Sequence, residues 1–110
     1  MKQYVIDELR EEDYRQIKAY LDEQFGVSKM SGIYWVPLSE DIFSEMQKKH
    51  KECQPFYFAL DLEPTLLACE LLVRTKEKVR CDCMGYADDT QRNWLVGIID
   101  SMFEKLGIKI

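Results

Sequence analysis

Apolar residues recur along the chain at two spacings, every three to four residues in some segments and every second residue in others. The first spacing predicts amphipathic helices, and the second predicts strands that bury one face. A first helix is predicted over 11–25, because Glu11, Glu12 and Asp13 place negative charge in its first turn. Gly26 is well placed to end it. Its apolar stripe consists of Tyr14, Ile17, Tyr20, Leu21 and Phe25.

Two further helices are predicted from their caps and stripes. Ser39 is the expected N-cap of the second helix, which Pro55 stops. Asp88 is the expected N-cap of the third helix, which ends at Gly107. The stripe of the second helix is Ile42, Phe43, Met46, His50 and Cys53. The stripe of the third, the strongest in the chain, is Trp94, Leu95, Ile98, Ile99, Met102, Phe103 and Leu106.

Alternation with a period of two predicts the strands. They are expected over 3–9, 33–36, 56–62, 67–73 and 79–86. Short connections between the last three imply antiparallel neighbours. The predicted order is β-α-β-α-β-β-β-α. The predicted fold class is α+β, with an antiparallel or mixed sheet of four to five strands packed against three helices, mostly on one face.

Composition and charge narrow the range of functions. A chain of 110 residues, of which 46% are hydrophobic, is expected to form a single domain over residues 1–110. The N-terminus lacks the apolar core of a secretion signal, and no apolar run approaches the roughly 20 residues that span a bilayer. We therefore expect a cytoplasmic protein without a membrane partner. A net charge of −5 argues against nucleic acid, which is usually bound by a basic surface.

The four cysteines are candidates for metal or redox chemistry. Cys81 and Cys83 lie two apart on a predicted strand and point to one face, and Cys69 lies on the same side of the neighbouring strand. His50 and Cys53 share one face of the second predicted helix. The geometry therefore allows a cluster of cysteine and histidine side chains. A C-x-C pair on a strand is nevertheless poorly placed to bind a metal, because structural zinc pairs usually lie on turns. Free cysteine is also often buried as a small apolar residue. The favoured expectation is reduced, metal-free thiols and no cofactor.

Positive charge gathers at the predicted hairpin between the last two strands. Arg74 and Arg80 are expected to face the same way, with Arg92 as a third contact. Like charges across a strand pair favour a carboxylate or a bound anion between them. Lys76 and Lys78 extend the same positive end. The favoured interpretation is a solvated face whose arginines pair with nearby carboxylates; the alternative is an anion or acidic-partner site.

Aromatic residues point to an interface. If the strand over 33–36 lies at a sheet edge, either Tyr34 or Trp35 must face outward, as interface anchors often do.

The sequence has no phosphate-binding glycine loop and no G-x-S-x-G motif, so no catalytic machinery is visible. The favoured function is a non-enzymatic binding domain with a protein partner or a homodimer. The alternative is a small ligand-binding protein or enzyme that uses the arginine-lined site.

Overall fold

The computed structural model describes residues 2–27, 31–75 and 84–109, which form an α+β fold with a six-stranded antiparallel sheet. The helices are α1 (Glu11–Phe25), α2 (Glu45–Lys49) and α3 (Asp89–Lys105), and two 3-10 turns cover Glu40–Ile42 and Lys51–Cys53. The strands are β1 (Gln3–Ile6), β2 (Ile33–Pro37), β3 (Phe56–Glu63), β4 (Leu66–Glu70), β5 (Leu72–Thr75) and β6 (Gly85–Tyr86). The element order and fold class confirm the prediction.

Strand β3 is the centre of the sheet. It is eight residues long, and it pairs with β2 along one edge and with β4 and β5 along the other. Strands β1 and β6 add to the far sides of β4 and β5. Gly32 precedes β2 with φ 81°, and a Cβ there would lie 2.6 Å from the Leu62 carbonyl oxygen. Glycine therefore allows the close approach that starts the β2–β3 ladder.

The strand count is six, not four to five, because the segment predicted as one strand over 67–73 is interrupted at Leu71. The Leu71 N–H donates to the Lys2 carbonyl at 3.1 Å, and the Leu71 carbonyl accepts from the Ala87 N–H at 2.8 Å. The chain therefore changes partner at this residue, from β1 to β6. Alternation of side chains alone does not reveal such a change.

The inner face of the sheet is covered by the helices and forms the core. Its buried residues are Tyr34, Val36, Phe56, Phe58, Leu60, Leu62, Leu67, Cys69 and Val73. Helix α1 adds Ile17 and Leu21 to the same cluster, and α3 adds Leu95, Ile99, Met102 and Phe103. Complete burial of a large apolar side chain contributes about 1.5–3 kcal/mol. The periodic stripes of α1 and α3 therefore supply much of the stabilisation.

The second predicted helix is broken, and only its middle is α-helical. Phe43 is extended, with φ −59° and ψ 140°, and its ring packs edge-to-face on Phe56 at 5.1 Å between centroids. Ser44, not Ser39, caps α2, because its hydroxyl accepts from the Gln47 N–H at 3.2 Å. A straight helix from Ser39 would not let Phe43 turn into the core in this way. The predicted start of this helix was wrong.

Two buried glutamines join α2 to α3. The Gln91 side-chain amide donates to Gln47 Oε1 at 2.8 Å and to the Ile42 carbonyl at 2.9 Å. Asp88 caps α3 as predicted, because its carboxylate accepts from the Gln91 N–H at 2.8 Å. Each glutamine completes the cap of its own helix and also bonds to the other. These bonds fix α2 against the start of α3, because an unsatisfied buried amide is costly.

Because one face of α3 is buried, truncating its large side chains should lower the free energy of unfolding. Phe103 is 1% exposed, so Phe103→Ala should lower the free energy of unfolding by about 3–5 kcal/mol. Trp94 is only half-buried, so Trp94→Ala should cost less. Urea unfolding measures both, and Glu104→Ala, at an exposed position of α3, is the matched control. A loss below about 1 kcal/mol at Phe103 would contradict this packing.

Candidate functional site

The outer face of the sheet lies opposite the helices and carries apolar side chains. We define the outer face by alternating residues of the six strands, the apolar Val5, Ile33, Trp35, Pro37, Tyr57, Ala59, Leu66, Ala68, Leu72 and Tyr86, the polar Gln3 and the charged Asp61, Glu63, Glu70 and Arg74. None of these residues belongs to the core cluster. Val5 and Tyr86 are exposed, and most of the others are half-buried between neighbouring strands. This face is therefore an apolar surface on which no described helix packs.

Trp35 is the aromatic residue that β2 directs outward. Within the described residues β2 pairs only with β3, so it is an edge strand as the sequence-based hypothesis required. Trp35 packs edge-to-face on Tyr57, with ring centroids 6.1 Å apart. Tyr34 is 2% exposed, and its hydroxyl donates to Asp22 at 2.6 Å. Tyr34 is thus a core residue, and only Trp35 can serve as an interface anchor.

The arginines predicted to form an anion site have separate local partners. Arg74 lies on the outer face and forms an ion pair with Glu70. Arg92 lies on α3, which packs on the inner face, and it pairs with Asp89 at 3.4 Å. Arg80 lies outside the described residues. For Arg74 and Arg92 the structure favours pairing with carboxylates, while the three-arginine anion site stays a prediction.

The cysteines divide into two groups. Cys69 is fully buried on β4, where burial and, to a smaller extent, the charge of Asp100 raise the pKa of its thiol to about 12. A thiol that resists ionisation is a poor nucleophile and a poor metal ligand. Cys53 is also buried, but it lies in the turn that follows α2. Cys81 and Cys83 lie outside the described residues, so their predicted packing is not addressed.

The turn after α2 brings three metal-binding side chains together. One donor atom from each of His50, Glu52 and Cys53 lies within 4.8 Å of the others. Sequence analysis paired His50 with Cys53 on one helical face but did not include Glu52. In an α-helix two residues two positions apart do not face each other. The chain instead leaves the helix at His50, with φ −94° and ψ 66°, and continues as a 3-10 turn over Lys51–Cys53, where Glu52 lies in the same group.

A polar cleft lies beside α1. Its volume is about 650 Å³, and its lining includes Tyr14, Lys18, Tyr34 and Asp61. Asp22 accepts hydrogen bonds from Tyr34 at 2.6 Å and from Lys18 at 2.9 Å. The Tyr34 bond and then the Lys18 bond lower the pKa of the Asp22 carboxyl. The Tyr34 bond fastens α1 to β2, and the Lys18 bond, within α1, engages the lysine that lines the cleft with a carboxylate of the protein.

Comparisons of the chain with protein-family models, curated proteins and solved structures give no match. The function is therefore argued from the geometry of this fold. Across the described parts of the chain, no helix has the length and apolar character needed to cross a membrane.

The Tyr34–Asp22 bond predicts a pH-dependent stability. Because the pKa of Asp22 is lowered in the folded state, its contribution is present above the unfolded value of about 3.9 and is lost as pH falls through the folded value. Tyr34→Phe should therefore destabilise the protein most near neutral pH, and its difference from the wild type should narrow in acid. Denaturant unfolding between about pH 3 and pH 7 measures this difference. Tyr20→Phe, on the same helix as Asp22, is the control; a Tyr34→Phe difference independent of pH would contradict the assignment.

Proposed function

We propose that this chain is a non-enzymatic interaction domain that forms a homodimer through the outer face of its sheet. The observation that carries the proposal is the apolar outer face around the Trp35–Tyr57 pair, which stands apart from the core. Tryptophan and tyrosine are the residues most often found as binding hot spots. A contiguous apolar surface of this kind is typical of a protein-binding site.

The charges of the outer face favour a second copy of the chain over another partner. A two-fold interface must be self-complementary, because the same patch is used by both subunits. Glu70 and Arg74 lie side by side on this face as an ion pair, so the Arg74 of one copy can meet the partner's Glu70. The whole chain carries a net charge of −5. The exchanged pair therefore offsets part of the repulsion between two acidic copies at this face.

The hydrogen bonding of the buried polar groups supports an interaction domain rather than a protein that binds a ligand in its interior. Within residues 2–27, 31–75 and 84–109, every buried side-chain nitrogen and oxygen atom has a hydrogen-bond partner. Ligand pockets usually offer a few convergent polar groups in an apolar cavity. The buried polar groups described here are already used by helix caps and by each other.

The size of the face sets the expected strength of the dimer. The central strand is eight residues long. With four strands side by side at about 4.8 Å and about 3.3 Å per residue, the face measures roughly 500 Å² per copy. Two copies would bury about 1,000 Å², which is near the lower limit for a specific interface. We therefore expect a weak dimer, with a dissociation constant of about micromolar or higher.

Sedimentation velocity over a range of concentrations tests the dimer. The wild type should shift from monomer to dimer as its concentration rises, and Trp35→Glu should remain a monomer, because a charge would be buried in the interface beside Tyr57. Val27→Glu is the matched control, since Val27 is 76% exposed and lies off the outer face. A wild type that stays monomeric at the highest concentration, or a control that dissociates equally, would contradict the proposal.

Charge exchange gives a second readout that does not disturb the aromatic pair. Arg74→Glu should weaken dimerisation, because it places like charges opposite each other across the interface. The double variant Glu70→Arg/Arg74→Glu should restore the dimer, because it exchanges the two charges and keeps their complementarity. Circular dichroism checks that each variant is folded. If the double variant is as monomeric as Arg74→Glu, the proposed pairing between subunits is wrong.

A further inference from the structure

The turn between α2 and β3 holds three donor atoms of different chemistry in one small volume. These are an imidazole nitrogen of His50, a carboxylate oxygen of Glu52 and the thiol sulphur of Cys53, each within 4.8 Å of the other two. Cys53 is 3% exposed, His50 is half-buried, and Glu52 is exposed. The group is thus anchored in the protein on its sulphur side and open to solvent on its carboxylate side.

We propose that His50, Glu52 and Cys53 form a binding site for a zinc ion. Zinc binds thiolate sulphur, imidazole nitrogen and carboxylate oxygen, and three protein ligands leave the fourth tetrahedral position to water or another ligand. The mixed donor set argues against calcium and magnesium, which prefer oxygen ligands alone. A thiolate together with an imidazole suits a borderline-soft divalent ion.

The backbone of the turn accounts for the convergence of the side chains. His50 is the N-cap of the 3-10 turn, with φ −94° and ψ 66°, so the chain leaves the winding of α2 at this residue. The Cys53 N–H donates to the His50 carbonyl at 3.0 Å and closes this turn. Gln54 holds the turn against α2, because its side-chain amide donates to the Gln47 carbonyl at 3.2 Å. The site is therefore carried by a well-bonded segment.

The distances between the donors are compatible with a tetrahedral ion. Bonds of about 2.0–2.3 Å to zinc place tetrahedral ligands roughly 3.3–3.8 Å apart. The donors lie within 4.8 Å of one another, so side-chain rotations of His50 and Glu52 can close the difference. The exposed side chain of Glu52 also gives an ion a path from solvent. This inference changes the sequence-based expectation of metal-free cysteines at Cys53, while Cys69 keeps its core role.

Titration of the full-length chain with zinc and with cobalt tests the site. Isothermal titration should give one zinc per chain. Cobalt should produce the thiolate charge-transfer band and the visible bands of a four-coordinate ion. Cys53→Ser should remove the charge-transfer band. Glu52→Gln should lower zinc affinity at least about tenfold, since losing even an outer-shell partner commonly costs that much.

Control variants separate the loss of a zinc ligand from other effects of substitution. Glu45→Gln is the matched control for Glu52→Gln, because Glu45 is an exposed residue of α2 outside the donor group, and it should bind zinc like the wild type. If Cys53→Ser does not fold, Glu52→Gln and His50→Gln decide the question, and unchanged affinity in both overturns the proposal. Failure of the wild type to bind, or a charge-transfer band that survives in folded Cys53→Ser, overturns it as well. These readouts are independent of dimerisation, so they do not depend on the proposed function.

Discussion

The pairing of β3 along both of its edges is the interaction on which the rest of the structure depends. Once β2 lies on one edge and β4 and β5 share the other, the inward side chains of β3 have apolar neighbours on both sides. Those inward side chains are Phe56, Phe58, Leu60 and Leu62, all at most 5% exposed. The helices must then cover this face, because a row of large apolar residues in the centre of a sheet cannot remain in water. A slip of one residue would turn the whole row outward.

One-sided coverage explains why the candidate binding surface lies on the outer face. The buried residues of α1 and α3 join one cluster on the inner face, so the outer face is left to the side chains of the strands. There, Trp35 and Tyr57 shield each other, and Arg74 is neutralised by Glu70. Antiparallel sheets with one packed face normally expose polar residues on the other. An outer face that is largely apolar departs from this pattern, and binding gives a physical reason for the departure.

The sequence predicts the elements whose pattern is sustained over several turns or strand residues. Helices α1 and α3 and strand β3 were predicted because their periodicity depends only on which face is buried. The break at Leu71 and the extended Phe43 were not predicted, because each is decided by a distant partner. Leu71 bonds to Lys2 and Ala87, and Phe43 packs on Phe56. Local patterns contain no information on such long-range partners.

For the candidate sites too, the sequence pattern predicts part of the arrangement, and the folded chain decides the rest. The sequence indicates that one of Tyr34 and Trp35 faces outward, but only the register with β3 decides that it is Trp35. Likewise, the sequence pairs His50 with Cys53, whereas Glu52 joins them where the chain leaves the predicted helix at His50. The donor group lies where the chain departs from the predicted helix, whereas Trp35 lies in a strand that the pattern predicts. Departures from local consistency are expected at functional positions, since a purely structural role would favour the simpler arrangement.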